Sequence, residues 1–518
     1  MQASRTPRAS IVGERAPIFW GACIAIGAGV LMHLPMLAMA HRMGNRLYGM
    51  PMDPEMWAGM ALIVLGVPAA VYGALPKERA RHGTHAVTSY EAPDSTRLGI
   101  WHAGVIAVLI LGLVIDVMKP ATLGFVLPGM RSEYGISAST VALFPFSALV
   151  GTTVGSFVWG WLADVYGRRV SILLSTILFV ATSICGAMPR FELNLVMCFL
   201  MGSSAGGMLP VVYTLLAEVM PPRHRSWVLV LVGGTGLIGG YLAASTAAHA
   251  FEPIFGWRVL WLQGFPTGIL LLLFARFIPE SPRFLAEQGR DAELADMRRK
   301  YGIAPKAREP VPPDAQTAAQ RHGKLTLALV VTALSWSFIN FGLLLWLPSD
   351  LQARGYSSAL ASGILAKSAL VALPTIMLAA WAYARLSSKW TLVATILLTL
   401  TGLVGALLPG SLLRSEILVI GIIAMLIVGS NGMIAVLLPY AAENYPLGIR
   451  GRATGLVAGS SKFGGVAVQS FALVGLIPTL TGGALALLPP LILSGVLIAY
   501  AGRETRGRSL RELEAGTA

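Results

Sequence analysis

The sequence predicts an all-α polytopic membrane protein: two pseudo-symmetric six-helix bundles with an extra two-helix hairpin at the N-terminus. Three observations lead there. Of 518 residues, 55% are hydrophobic and only 12% charged, about half the charge density of an ordinary soluble domain. Apolar runs of about 20 residues, the length that crosses a bilayer core, recur along the whole chain. Polar motifs of its first half return in its second. The mean hydropathy of +0.69 excludes intrinsic disorder in spite of 57 Gly and 31 Pro.

Taken in order, the runs are 17–39 and 57–75, then 100–127, 139–163, 169–188, 191–219, 226–250 and 257–278, then 324–348, 358–383, 389–409, 414–440, 453–477 and 480–501. Residues 1–99 comprise a tail, the hairpin and a basic linker. One bundle follows over 100–278 and the other over 324–501, with a linker at 279–323 and a tail at 502–518. The linker 279–323 holds Glu280, Arg283, Arg298, Arg299, Lys300 and a Pro-rich run, and reads as surface loop. The first run also resembles a signal peptide, with Arg5, Arg8 and Arg15 before it and Ala38-Met39-Ala40 near its end. Its apolar stretch, 17–34, exceeds the usual roughly 7–15 residues, which favours a retained helix.

The net charge is +14, from 39 Lys and Arg against 25 Asp and Glu. With the N-terminus placed in the cytoplasm, twenty-nine of those cations fall in inside loops and seven in outside loops. The positive-inside rule then puts both termini in the cytoplasm. The basic balance is a membrane signature that needs no nucleic acid partner. Cys23, Cys185 and Cys198 lie in apolar runs without metal-ligand spacing, so neither a disulfide framework nor a metal site is expected.

The repeat has a fixed offset. Glu218-x-x-Pro221-x-x-x-Arg225 returns as Glu443-x-x-Pro446-x-x-x-Arg450, 225 positions on, and Gly239-Gly240 returns as Gly464-Gly465. The loop Gly160 to Arg169 has a worn counterpart in Ala380 to Lys389. Two such halves imply a pseudo-two-fold axis along the membrane normal, with a solute site between them.

These residues carry a resemblance. Gly160-x-Leu162-Ala163-Asp164-x-x-Gly167-Arg168-Arg169 resembles the loop 2–3 signature of the major facilitator superfamily. Pro279-Glu280-Ser281-Pro282-Arg283, Pro439-Tyr440-x-x-Glu443-x-Tyr445-Pro446 and Glu504-Thr505-x-Gly507-Arg508 resemble markers of its sugar porter, aromatic acid:proton symporter and organic-ion branch. The match runs over roughly 100–513 and leaves the hairpin outside. It implies a secondary transporter working by alternating access, without a cofactor, in a bacterial inner membrane and as a monomer.

Loop chemistry agrees with that expectation. Asp164 stands where it can face Arg168 or Arg169, or a helix N-terminus, while Gly160 and Gly167 allow a tight turn and close backbone approach. Such clusters, with Glu218/Arg225 and Glu443/Arg450, are expected to latch the inner ends of the halves. Static anchoring at the membrane surface is the alternative.

Ionisable groups at membrane depth are functional candidates by default. Four stand out: Asp116, Lys119, Lys367 and Lys462. Asp116 and Lys119, three apart, share a helix face, and Pro120 frees a backbone carbonyl. In the resemblance Asp116 matches the first acid of an acidic-Gly-aromatic-acidic run and Lys119 replaces the second. Asp116 is then the protonatable group and Lys119 its counter-ion or a clamp for a substrate carboxylate; an internally neutralised structural pair is the other reading. Lys367 is a candidate fixed anion-binding charge, or a snorkelling lysine. Lys462 stands where relatives often carry Arg before Gly-Gly, for substrate contact or for a structural contact between helices. Cys198 occupies a position where relatives often carry Arg, and Gln469 one where Pro is usual, so the symport mechanism does not transfer whole. Asn340 and Asn431 complete the candidate set, ahead of Trp336, Tyr213 and Gln469.

The hairpin is rich in Met and His, among them Met32, His33, Met36, Met39, His41, Met43, Met50, Met52, Met56 and Met60. Thioether and imidazole suit Cu(I), but the set lacks a thiolate and packing explains it as well. No GxxxxGK[ST] phosphate loop appears and no H-E-x-x-H, so neither ATP nor enzyme chemistry is expected. Three readings remain open: a carrier of a small organic anion with protons, a sugar, polyol or organic-cation carrier or exporter, and a sensor or copper-handling protein on the same scaffold.

Overall fold

The structure is a computed structural model, described over residues 15–75, 88–93, 95–307, 323–445 and 447–506. The tail before residue 15, most of the basic linker, the end of the 279–323 linker and the tail after residue 506 lie outside the described residues. Among the described residues, thirteen helices are long and apolar enough to cross a membrane. The hairpin is α1 (Ala16–Arg42) and α2 (Pro54–Ala74). Six follow: α3 (Ile100–Tyr134), α4 (Ala138–Tyr166), α5 (Arg168–Ala187), α6 (Phe191–Val219), α7 (Pro222–Phe255) and α8 (Val259–Phe277). The second set is α9 (Gly323–Ala353), α10 (Ser358–Arg385), α11 (Ser388–Gly405), α12 (Glu416–Asn444) and α14 (Leu480–Ala501). Between the last two lies α13 (Leu447–Leu473), a helix richer in Gly and Ser. The face holding Ala16 and Ala501 is called the terminal face below, and the opposite one the far face.

Several spans are broken, two of them at Gly or Pro. In α6 the helix pauses at Gly206-Gly207, and in α10 at Leu373-Pro374. In α9 it widens to a π-helical stretch, Phe338–Leu344, a distortion that recurs at functional sites. Close helix contacts use glycine where a side chain would not fit. Gly151 and Gly155 of α4 lie against the carbonyls of Phe199 and Ser203 in α6, and Gly202 and Gly206 of α6 lie against those of Ala148 and Thr152. This is the small-xxx-small packing of membrane helices. Within the hairpin, Gly59, Gly66 and Gly73 of α2 meet Gly29, Ile26 and Phe19 of α1.

The hairpin docks on the first bundle. Phe19, Ile26, Val30 and Ile63 pack with Trp159, Leu173, Leu174, Ile177 and Leu272. Its far-face loop is tied down by ionic contacts. Glu133 pairs with Arg258 at 2.8 Å and accepts from the backbone N–H groups of Leu47 (2.7 Å) and Tyr48 (2.9 Å). Trp257 Nε1 donates to the same carboxylate at 2.9 Å, and Arg258 Nη1 donates to the carbonyls of Gly186 and Met188. Both charges are therefore bonded on every side, which makes their burial tolerable.

The 279–323 linker differs from the loop expected. It holds helices Pro282–Glu287 and Asp291–Tyr301 and a strand, β2 (Ala304–Ala307), which pairs antiparallel with β1 (Thr88–Glu91), Thr88 opposite Ala307. Leu294, Met297 and Tyr301 form the buried stripe of the second helix, at a spacing masked by its six charged residues. Tyr301 meets His102 edge-on at 5.3 Å. The segment before α3 is thereby joined to the segment between the halves.

Candidate functional site

Asp116 lies near the middle of α3 and is 6% exposed. Pro120, inside the same helix, supplies no N–H, so the carbonyl left without its i+4 donor is that of Asp116 itself. The charge that acts on Asp116 is Lys462 of α13, and Asp116 is the charge that acts on Lys462. The two belong to opposite halves. An acid of one half and a base of the other thus lie within electrostatic reach of each other.

Lys119 does not join them, contrary to the expectation of a shared face. Its side chain turns into the first bundle and is 0% exposed. Nζ donates to the carbonyl of Phe179 and, at 2.8 Å, to Thr182 Oγ1, and sits 4.2 Å from the centre of the Phe179 ring. The α-helical part of α5 ends at Ala181, where a 3₁₀ turn, Thr182–Ala187, begins. Lys119 is thus a cation at a helix C-terminus, where carbonyls lack partners. Lys367 is corrected too. Its side chain is 59% exposed and pairs with Glu416 at 2.6 Å, a partner 49 residues away in sequence and invisible to local pattern.

Of the uncharged candidates, Asn431 is buried and donates to the carbonyl of Ile427 on its own helix at 3.1 Å, while Asn340 is half-buried in the π-helical stretch. Gln469 is committed within the second half, accepting from Trp346 Nε1 and donating to the Phe341 carbonyl. Among the buried side-chain atoms without a hydrogen-bond partner in the described residues are Tyr213 OH, Tyr241 OH, Trp336 Nε1 and Ser430 Oγ. Tyr241 and Ser430 were missed in the sequence; each stands beside a flagged position, Gly240 and Asn431. Among the described residues no group of three His, Cys, Asp or Glu is placed to hold a metal, and Met36 and Met56 of the hairpin are buried in an apolar cluster. The run Gly202-Ser203-Ser204-Ala205-Gly206 has the spacing of a G-x-S-x-G elbow, but both glycines meet α4 and Ser204 donates to the carbonyl of Met201 at 2.6 Å.

The terminal face carries two matching carboxylate knots. In the first half, Glu280 accepts from the backbone N–H groups of Arg168 (2.7 Å), Arg169 (3.4 Å) and Ser281 (2.9 Å). Burial pushes its pKa above the ordinary glutamate range, with those donors and Arg169 pulling the other way. Gly167 has φ +100°, and a Cβ there would strike this carboxylate. Gly160, by contrast, has open space around its missing Cβ, so the close approach expected there is absent. Arg168 joins Asp164 (3.2 Å) and Glu218 (3.3 Å); Glu218 thus turns to Arg168, and Arg225 has an interaction of its own. Asp164 is 76% exposed.

In the second half, Glu504 accepts from Ser388 N (2.9 Å), Ser388 Oγ (2.6 Å), Arg506 N (3.0 Å) and Ser387 Oγ. Burial raises its pKa, but these donors outweigh burial and hold it below the ordinary range. Glu443 bridges the halves. Its carboxylate accepts from Ser226 of α7, Tyr383 OH (2.8 Å) and Thr505 Oγ1 (2.6 Å). The side chain of Arg450 lies outside the described residues.

The model of one family, the Major Facilitator Superfamily, matches residues 104–469. The chain belongs to the Major Facilitator Superfamily. It is a multi-pass membrane protein and a secondary transporter, in a family of transporters rather than enzymes. Its relatives within the superfamily include the niacin transporter NiaP of Acinetobacter baylyi, 25% identical over 81% of this chain and 98% of that one. The gallate transporter of Pseudomonas putida is 28% identical over 72% of this chain and 85% of its own length. The 4-hydroxybenzoate transporter PcaK of Pseudomonas aeruginosa is 28% identical over 71% and 84%. The superfamily fold is seen in the proton:xylose symporter XylE of E. coli, with a TM-score of 0.63 at 18% identity over 80% of this chain and 99% of that one.

Proposed function

We propose that this transporter carries a small organic anion, an aromatic or other monocarboxylate, together with protons. The observation that carries the reading is the electrostatic coupling of Asp116 to Lys462 across the two halves. In a medium of low dielectric such groups act on each other far more strongly than in water. While Asp116 is ionised, Lys462 is satisfied. Protonation of Asp116 releases Lys462 to hold a substrate carboxylate, so proton and anion cross as a neutral set and the desolvation cost falls. Niacin, gallate and 4-hydroxybenzoate, named for three relatives, are all aromatic carboxylic acids, which supports the substrate class. Asn340, Asn431 and the unpartnered hydroxyls of Tyr213, Tyr241 and Ser430 supply hydrogen bonds to the solute.

In this reading the terminal face is cytoplasmic, with both chain ends inside a bacterial inner membrane and a single copy as the working unit. Glu443 with Ser226, and Arg168 with Asp164 and Glu218, form the inner gate. The test is uptake into proteoliposomes under an imposed pH gradient, with labelled niacin, gallate, 4-hydroxybenzoate, xylose and a quaternary ammonium offered in parallel. A carboxylate accumulating only when the outside is acidic supports the proposal. Accumulation of xylose or the cation alone, or none with any solute, overturns it.

A further inference from the structure

A second carboxyl group within the membrane lies outside the site described above. Glu252 stands one turn before the far-face end of α7, where α7 of the first half packs on α10 of the second. His249, a turn earlier, already links them: its Nδ1 is 2.7 Å from the carbonyl oxygen of Ala359 in the first turn of α10, and its ring covers Gly363. Beside that contact the Glu252 carboxyl group faces the hydroxyl of Ser358. Neither Glu252 Oε2 nor Ser358 Oγ, both buried, completes a hydrogen bond within the protein.

An ionised carboxylate in such a place is strongly disfavoured, whereas a protonated one is neutral and can donate its O–H to Ser358. The surrounding charges give no relief. On α7 the nearby titratable group is His249, and from the hairpin His41 packs on Phe255 at the end of the same helix, 5.3 Å between ring centres. On α10 the facing residues are Ser358 and Ala359, and Lys367, further along, is committed to Glu416, which is the acid α12 brings to this face. At the end of α3, Glu133 is committed to Arg258 and Arg131 is exposed.

We propose that Glu252 is a proton-binding residue of the far-face gate, neutral and closed against Ser358 when the halves meet there, ionised and hydrated when they part. The assignment rests on the alternating-access reading above and adds to it a proton site at the gate, distinct from Asp116. Protons arriving at the far face then favour closure over the solute, and release toward the other face resets the gate.

The test uses the full chain in lipid without solute, with spin labels on Ile254→Cys and Ala353→Cys, exposed positions at the far-face ends of opposite halves. Acidification should shorten the inter-label distance in the parent protein. Glu252→Gln, which mimics the protonated acid, should hold the short distance at every pH, and Glu252→Asp should restore the response. A Glu252→Gln variant that melts like the parent and keeps the parent's pH response overturns the assignment, as does a parent without one. If the parent responds but carries no solute in the uptake assay, the carrier reading fails and the gate assignment stands.

Discussion

Position on the helix, more than residue type, decides what each buried charge does. Lys119 and Lys367 were both candidate anion ligands in the sequence, each beside a structural alternative; Lys119 is buried in its own bundle and Lys367 is exposed and paired with Glu416. Lys119→Met removes the charge-assisted bonds to the Phe179 carbonyl and Thr182 Oγ1, at a cost of about 1.5–3 kcal/mol, although Thr182 Oγ1 still donates to that carbonyl. It is expected to lower the melting temperature while leaving solute affinity in a binding titration unchanged. Lys367→Ala removes an exposed pair of about 0–1 kcal/mol, so melting and uptake should both match the parent. At Glu504 the folded-state pKa is depressed, so the carboxylate stabilises the fold above its unfolded pKa of about 4.3 and that stability is lost as pH falls through the lower, folded value. Glu504→Gln should therefore melt earlier than the parent at neutral pH, and melting curves recorded at falling pH should converge. Asp116 and Lys462 were legible because a charge in an apolar run is conspicuous. Their mutual electrostatic influence was not, because it joins residues 346 positions apart. Nor was the turn of Lys119 into its own bundle, which depends on where α5 loses its regular helix.

Among the elements, the apolar runs foretold nearly every helix, because a membrane span needs length and hydrophobicity before anything else. What the runs did not show are the breaks and the partners. The π-helical stretch around Asn340 has no signature in Phe338–Leu344, and the Asp291–Tyr301 helix was hidden by charge. The Met-rich hairpin had two readings in the sequence, and its burial against Trp159, Leu173 and Leu272 gives it a packing role. Deleting residues 15–75 exposes that face and removes two charge-assisted hydrogen bonds from Glu133, each worth about 1.5–3 kcal/mol. The shortened protein should melt at a lower temperature, with added protease cutting the first bundle before the second; equal cutting of the two would contradict the docking.

For the whole molecule, the repeat at a spacing of 225 anticipated a two-half architecture, and the carboxylate knots show its worn symmetry: Glu280 serves the start of α5 as Glu504 serves the start of α11. The symmetry fails at Glu218 and Glu443. The first stays within its half on Arg168, and the second reaches Ser226 across the interface. Glu443→Gln weakens that bridge, which should raise the accessibility of a cysteine placed at Asn431 to a thiol reagent applied from the terminal face, at least several-fold if a charge-assisted bond of about 1.5–3 kcal/mol is lost. Unchanged labelling would leave Glu443 as an anchor within its own half.

In the proposed mechanism a proton on Asp116 governs what Lys462 binds. The most direct measurement compares two modes of transport in Asp116→Asn proteoliposomes with the solute identified in the uptake panel. Exchange of labelled for unlabelled solute needs no net proton movement and should persist. Accumulation driven by a pH gradient should fall to background. Accumulation at the parent's level in Asp116→Asn would contradict the account.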